Sequence, residues 1–118
     1  MANDPLFGVH GKALALRSQR MGLIASNIAN ASTPGYKAKD VDFQAALRSA
    51  TRDGGPSLDA ALAAQTKYRL PLQMSQDGNT VELATEQTAF AENAVAYQTT
   101  LSFLNGRIGQ ITRALRGE

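Results

Sequence analysis

The C-terminal third of the chain carries an unbroken heptad pattern, and this pattern limits the fold more than any other feature. Mostly apolar residues recur at alternating spacings of four and three between residues 83 and 115, as in the seam of a coiled coil. The positions are Leu83, Gln87, Phe90, Ala94, Tyr97, Leu101, Leu104, Ile108, Ile111 and Leu115. Asn79 is placed to cap this helix, with Glu82 in the capping-box position. The pattern predicts one helix of about 35 residues, about 50 Å long.

A second helix is predicted near the N-terminus, from about Leu6 to Ala31, and its apolar residues form two neighbouring stripes. One stripe contains Phe7, Leu14, Met21, Ile24, Ile28 and Ala31, and the other contains Leu6, Val9, Ala13, Leu16 and Leu23. One partner helix cannot cover both stripes. We therefore expect the terminal helices to pair antiparallel, with the second N-terminal stripe and the outer C-terminal face left for neighbouring molecules. The predicted fold class is all-α, with a coiled coil of the two terminal helices and an irregular middle region.

The region between the helices is rich in turn and capping residues. Pro34-Gly35 fits the central positions of a type II turn and ends the first helix. Asp42 and Ser57 are placed to cap short helices. The predicted parts are an extended segment over 36–43, helices over 43–50 and 57–66, a second extended segment over 68–75 and a turn at 77–79. We divide the chain into an N-terminal helix and turn (1–36), a middle region (37–78) and a C-terminal helix (79–118).

The residue types present argue against catalytic and metal chemistry. The chain has no cysteine, and His10 is its one histidine, so we expect no disulfide, thiolate or histidine metal site. Asp40 and Asp42 could share a strand face, but a helix cap beside a solvated charge is the simpler interpretation. The basic residues form no dense run. We expect no cofactor, no nucleic acid and no small-molecule substrate.

No stretch of the sequence approaches the ~18 consecutive apolar residues that span a membrane. The first eleven residues also lack the basic and apolar regions of a cleaved secretory signal. We therefore expect a cytosolic protein, or one that leaves the cytosol by a route without such a signal.

Asn27 and Asn30 lie three residues apart near the end of an otherwise apolar helix. Amide side chains in this position either cap the last carbonyl groups or fix the register of packed helices. Together with the long heptad pattern, they predict a helical interaction protein. Head-to-tail contacts between such molecules build an open filament rather than a closed dimer.

The segment from Ala25 to Tyr36 resembles the N-terminal signature of the bacterial flagellar axial family, which comprises rod, hook and hook-associated proteins. Residues 77–82 and 91–98 resemble the B-type proximal rod proteins within that family. The similarity covers roughly residues 12–47 and 77–115. The middle region departs more, since many members have a histidine shortly after a threonine where this chain has Thr66 to Leu70.

The resemblance implies a structural subunit of the proximal rod of the flagellar basal body, not an enzyme. It implies export through the flagellar type III apparatus without a cleaved signal, then polymerisation on the periplasmic side of the inner membrane. The implied partners are other proximal rod subunits, the C-type rod protein, the hook–basal body junction protein (FliE), the inner-membrane MS ring and the export apparatus. The expected assembly residues are Leu14, Met21, Ile24, Asn27, Ile28, Asn30, Pro34, Gly35, Tyr36, Leu83, Phe90, Ala94, Tyr97, Leu101, Leu104, Ile108, Ile111 and Leu115. A small helical adaptor or chaperone of flagellar export is the alternative.

Overall fold

A computed structural model describes residues 8–71 and 75–117. Along these residues the elements are α1 (Gly8–Ala29), β1 (Lys39–Val41), α2 (Phe43–Thr51), α3 (Leu58–Gln65), β2 (Thr66–Tyr68) and α4 (Leu83–Arg116). The fold is mostly helical, as predicted. A two-stranded sheet in the middle region makes the prediction of an all-α fold incomplete.

The two long helices, α1 and α4, lie side by side in opposite directions. Three contacts run in opposite order along them: the His10 ring on the Phe103 ring, the Arg17 carbonyl on the Asn93 amide, and the Asn27 amide on the Glu86 carboxylate. Helix α4 has 34 residues and α1 has 22. The last twelve residues of α4, about 18 Å of helix, therefore project beyond the described start of α1. The described molecule is elongated, measuring 65 × 29 × 18 Å.

The middle region covers the second side of α1. Leu16 of α1 is fully buried in a cluster with Val41 of β1 and Ala46 of α2. The partly buried residues around this cluster are Leu23, Phe43, Leu47, Leu58 and Leu62. The expectation that the second N-terminal stripe is left for neighbouring molecules is wrong for Leu16 and Leu23, because β1, α2 and α3 pack on them. Leu6 and Phe7, which begin the two stripes, lie outside the described residues.

Short polar side chains begin the two short helices, as predicted. The Asp42 carboxylate accepts a hydrogen bond from the Ala45 N–H (3.1 Å), and the Ser57 hydroxyl accepts one from the Ala60 N–H (3.2 Å). These bonds satisfy N–H groups that have no partner within the helix. Strands β1 and β2 pair antiparallel from Lys39 opposite Tyr68 to Val41 opposite Thr66. Strand β2 ends at Tyr68, so it shares only that residue with the second extended segment predicted over 68–75, and the predicted position is wrong. Residues 72–74 of the predicted segment lie outside the described residues.

Candidate assembly site

The turn after α1 is hydrogen-bonded to the segment that leads into α4. Gly35 has a φ of 76°, as the third residue of a type II turn requires, and the Tyr36 N–H donates to the Thr33 carbonyl across the turn (3.2 Å). The turn predicted at Pro34-Gly35 is confirmed. Two backbone bonds join it to the incoming segment, from the Gly35 N–H to the Asp77 carbonyl (2.8 Å) and from the Thr80 N–H to the Tyr36 carbonyl (2.9 Å).

Asn79 completes the end of α1 instead of capping α4. Helix α4 begins four residues later, at Leu83, and Glu82 in the cap position makes no side-chain capping bond. The predicted capping box is therefore wrong. The buried Asn79 Nδ2 lies 2.7–3.1 Å from three carbonyl oxygens that follow α1, those of residues 30, 31 and 33. The carbonyls of Asn30 and Thr33 also accept backbone bonds, from the Thr33 N–H (3.0 Å) and the Tyr36 N–H (3.2 Å), so the Asn79 amide reinforces a turn that the backbone already closes.

Asn30 acts locally on the same end of α1. Its Nδ2 donates to the Ser26 carbonyl (2.8 Å), and its Oδ1 accepts a bond from the Thr33 hydroxyl (3.1 Å). This is the capping role, one of the two roles predicted for an amide at this position.

Asn27 joins three parts of the chain. Its fully buried amide pairs with the backbone of Lys39, donating to the carbonyl (2.7 Å) and accepting from the N–H (3.1 Å). The same Nδ2 donates to Glu86 Oε2 on α4 (3.1 Å). The Tyr36 hydroxyl, which lies 3.2 Å from the Ser26 hydroxyl, also donates to Asn27 Oδ1 at 3.4 Å. Asn27 thus fixes how α1, β1 and α4 meet, which is the register role.

Four charged side chains form a network beside Asn27. Arg20 of α1 binds Asp40 of β1 through two bonds of 2.9 and 3.0 Å, and Arg69, just after β2, donates to the same carboxylate (2.7 Å). Arg69 Nε also lies 3.2 Å from Oε1 of the fully buried Glu86, an ion pair without hydrogen-bond geometry. The expectation that Asp40 is a solvated charge is wrong, because two guanidinium groups enclose it. The network has no net charge, and each member is paired.

The surroundings of the two arginines on α1 differ. The hydrogen bond from the Arg20 side chain to Asp40 raises the pKa of Arg20 above its ordinary value. Burial, followed by repulsion from Arg20, lowers the pKa of Arg17. The Arg17 guanidinium lies 4.1 Å from the centre of the Phe43 ring, a cation–π contact that partly offsets its lost hydration. Arg17 therefore packs against the core side of α1, whereas Arg20 belongs to the network.

The face of α4 that meets α1 is rotated from the predicted seam. Glu86, Asn93 and Leu104 are the buried residues of α4 within the described chain. Of the predicted positions, Leu83, Gln87, Ile108 and Leu115 are exposed, so the complete ten-residue seam is wrong. Three predicted seam positions on this face agree with the structure, because Phe90 and Tyr97 are half-buried and Leu104 is buried. The positions that lie beside them on the buried face are Glu86 and Asn93, instead of the predicted Gln87 and Ala94.

The predicted assembly residues fall into three groups by their exposure. The buried ones are Ile24, Asn27 and Leu104. The half-buried ones are Leu14, Met21, Ile28, Asn30, Tyr36, Phe90, Ala94, Tyr97, Leu101 and Ile111. The exposed ones are Pro34, Gly35, Leu83, Ile108 and Leu115. Of these residues, Asn27, Asn30 and Tyr36 come together at the turn, whereas Ile108, Ile111 and Leu115 lie on the projecting end of α4.

The sequence interpretation missed Asn79, Arg69 and Glu86 as members of this site. Glu86 had one available signal, because Glu86 and Asn93 are seven residues apart and share the four–three spacing of Phe90 and Tyr97. No local sequence pattern indicated Arg69, since its partners lie far away in the sequence. No group of three or more His, Cys, Asp or Glu side chains that could hold a metal ion occurs among the described residues. None of the described helices is both long and apolar enough to span a membrane.

Comparison with known proteins shows the family. The family model described as "Flagella basal body rod protein" matches residues 7–37, which cover α1 and the turn after it. The flagellar basal body rod protein FlgB of Cereibacter sphaeroides is 47% identical, with 94% of each chain covered. The chain belongs to the FlgB family of flagellar basal body rod proteins. The FlgB proteins of Aeromonas hydrophila (43% identical, 98% of this chain and 96% of the relative covered) and Escherichia coli (38%, 89% and 88%) are similar along most of the chain.

The FlgB relatives align with almost the whole chain, so the similarity includes α4 and the middle region as well as the signature turn. Their names describe a rod component of the flagellar basal body, and none is the name of an enzyme. The site around Asn27 and Asn79 therefore belongs to a protein of the basal body rod family.

Proposed function

We propose that the chain is a structural subunit of the proximal rod, which polymerises through its terminal helices into part of the flagellar drive shaft and export channel. Membership of the FlgB family supports the rod setting. The observation that carries polymerisation is the exposure of large apolar side chains on α4: Leu83 is 45% exposed, Ile108 40% and Leu115 85%. A helix with this many exposed apolar residues has surface left for other molecules.

The proposal divides the predicted assembly residues by role. Buried Ile24, Asn27 and Leu104 hold α1 and α4 together within one subunit. The row formed by half-buried Phe90 and Tyr97 and by buried Leu104 is the seam of an antiparallel coiled coil that forms the inner layer of the rod. The exposed and half-buried remainder, in which Leu115 is the most exposed large apolar residue, contacts neighbouring subunits.

The partners follow from the same proposal. We propose that the subunit is exported through the flagellar export apparatus without a cleaved signal and assembles on the periplasmic side of the inner membrane. There it contacts other proximal rod subunits, the C-type rod protein, the hook–basal body junction protein and the inner-membrane MS ring.

A deletion strain tests the proposal. Loss of the gene is expected to abolish rods and motility while the membrane ring still forms, and a plasmid copy is expected to restore both. The complementing chain is expected in purified basal bodies. Rods in the deletion strain, or a chain recovered in the cytosol and absent from basal bodies, would contradict the proposal; the second result would favour the export adaptor or chaperone.

A further inference from the structure

The projecting end of α4 carries an apolar row that α1 does not cover. Ile111 and Leu115 lie seven and eleven residues after the buried Leu104, so they share its side of the helix. Because His10, two residues after the described start of α1, already lies against Phe103, this row continues past α1. Ile108 and Leu115 are exposed and Ile111 is half-buried. The side of α4 that pairs with α1 therefore extends into a stretch where the described chain gives it no helix to pair with.

Charge is separated along the same helix. The projecting end carries Arg107, Arg113 and Arg116, and residues 93–117 contain no Asp or Glu. Residues 70–106 contain no Lys or Arg. One half of α4 is thus basic and the segment around its start is acidic, which is a complementary pair of surfaces within one chain.

A groove near the start of α4 presents the carboxylate of Glu92. It is lined by Arg20, Ala84, Thr85, Thr88, Ala89 and Glu92. The residues from α4 other than Glu92 are small, so another helix can approach closely. Arg20 is already bound to Asp40, whereas the exposed Glu92 has no ion pair among the described residues. The groove is therefore lined by small alanine and threonine side chains, with the carboxylate of Glu92 left to pair with a cation.

We propose that the projecting end of α4 docks in this groove of a second copy of the chain. The centres of the two surfaces, near Thr88 and Ile111, are 23 residues apart on one helix, or about 35 Å. A shift of that size along the helix axis, together with a sideways displacement of about 8–10 Å, brings the projecting end of one copy beside the groove of the next. Because the two surfaces differ, the contact repeats from copy to copy and builds an open filament. This inference deepens the proposed function and rests on it.

Engineered cysteines test the contact, and the natural chain has none to interfere. A chain with Thr88→Cys and Ile111→Cys replaces the native rod subunit in a flagellated strain, and the cells are treated with a mild oxidant. Within one chain these positions are too far apart for a disulfide. We expect a ladder of dimers, trimers and longer species. The matched control, Lys67→Cys with Ile111→Cys, places the first cysteine on exposed β2 and is expected to give no ladder.

Charge reversal tests the recognition. In the cysteine pair background, Arg107→Glu with Arg116→Glu reverses the two exposed arginines that flank the apolar row. This change is expected to lower the ladder yield about tenfold, because exposed charge attractions become repulsions of similar size. Adding Glu92→Arg is expected to restore most of it. Arg48→Glu with Arg52→Glu makes the same charge change at the exposed end of α2 and is expected to leave the yield unchanged.

Each other outcome counts against the inference. Dimers alone would show a closed two-fold contact, and a ladder unaffected by charge reversal would show that the arginines do not recognise the groove. Motile cells without any ladder would overturn the docking contact and leave the proposed rod function standing. Rods and motility in cells lacking the chain altogether would instead contradict the proposed function.

Discussion

Replacement of Asn79 by alanine tests whether this side chain joins the end of α1 to the start of α4. The Asn79 Nδ2 lies 2.9, 3.1 and 2.7 Å from the carbonyl oxygens of Asn30, Ala31 and Thr33, and its Oδ1 accepts a bond from the Val81 N–H (2.7 Å). Two amide protons serve three acceptors, so at most two full donor bonds and one acceptor bond are lost.

The expected loss follows from these bonds. At about 0.5–1.5 kcal/mol each, three bonds contribute about 1.5–4.5 kcal/mol to the free energy of unfolding. We expect a loss near the lower end of this range, because the turn around Thr33 is exposed and water can hydrate the freed carbonyls. A loss of about 2 kcal/mol lowers the melting temperature of a chain of this size by about 8 °C.

Thermal unfolding of the full chain, followed by circular dichroism, measures the effect. Asn105→Ala is the matched control, since Asn105 is exposed on α4 and alanine favours the helix. Asn79→Asp keeps the acceptor for Val81 but places a carboxylate among carbonyl oxygens, so it is expected to destabilise at least as much as alanine. If Asn79→Ala and Asn105→Ala melted at the same temperature, the role assigned to Asn79 would be refuted.

Four further measurements address the rest of the chain. Leu104→Asp is expected to lower the free energy of unfolding by ~3 kcal/mol or more and to abolish motility, because Leu104 is 4% exposed. Gln98→Asp, on the exposed side of α4, is expected to change stability by less than about 0.5 kcal/mol. Equal losses in the two variants would contradict the assigned buried face. Gly35→Ala is expected to destabilise by about 1 kcal/mol, since φ is 76° there. Gly22→Ala, inside α1 with no atom near the added methyl group, is expected to stabilise by about 0.5–1 kcal/mol, so equal signs in denaturant titrations would refute the conformational argument. A hydrogen bond from the Ser75 hydroxyl, and then one from the Asn79 N–H, lowers the pKa of Asp77. The stability that the Asp77 carboxylate contributes is therefore complete above its unfolded pKa of about 4 and is lost as the pH falls through the lower folded value. Asp77→Asn is expected to flatten the curve of stability against pH in this range, and an unchanged curve would count against the hydrogen bond from Ser75.

Local features were readable because neighbouring residues decide them. The periodic apolar residues of α4 predicted one helix of about 35 residues, and the observed helix has 34. Asp42 and Ser57 cap helices because a short acceptor side chain reaches the N–H group three residues on. Gly35 occupies the position in a type II turn that requires a positive φ. Each of these depends on at most a few consecutive residues, or on a period within one element.

The tertiary structure alone decided which side of α4 faces α1 and where Asn79 binds. Apolar residues lie on both candidate sides of α4, so their spacing could not choose between Gln87 and Glu86. Burial of Glu86 becomes favourable only because Asn27, 59 residues away, and Arg69 supply partners for its carboxylate. Asn79 likewise finds its acceptors at the end of α1, 46–49 residues earlier. Such polar burial depends on groups brought together by folding, and no local pattern encodes it.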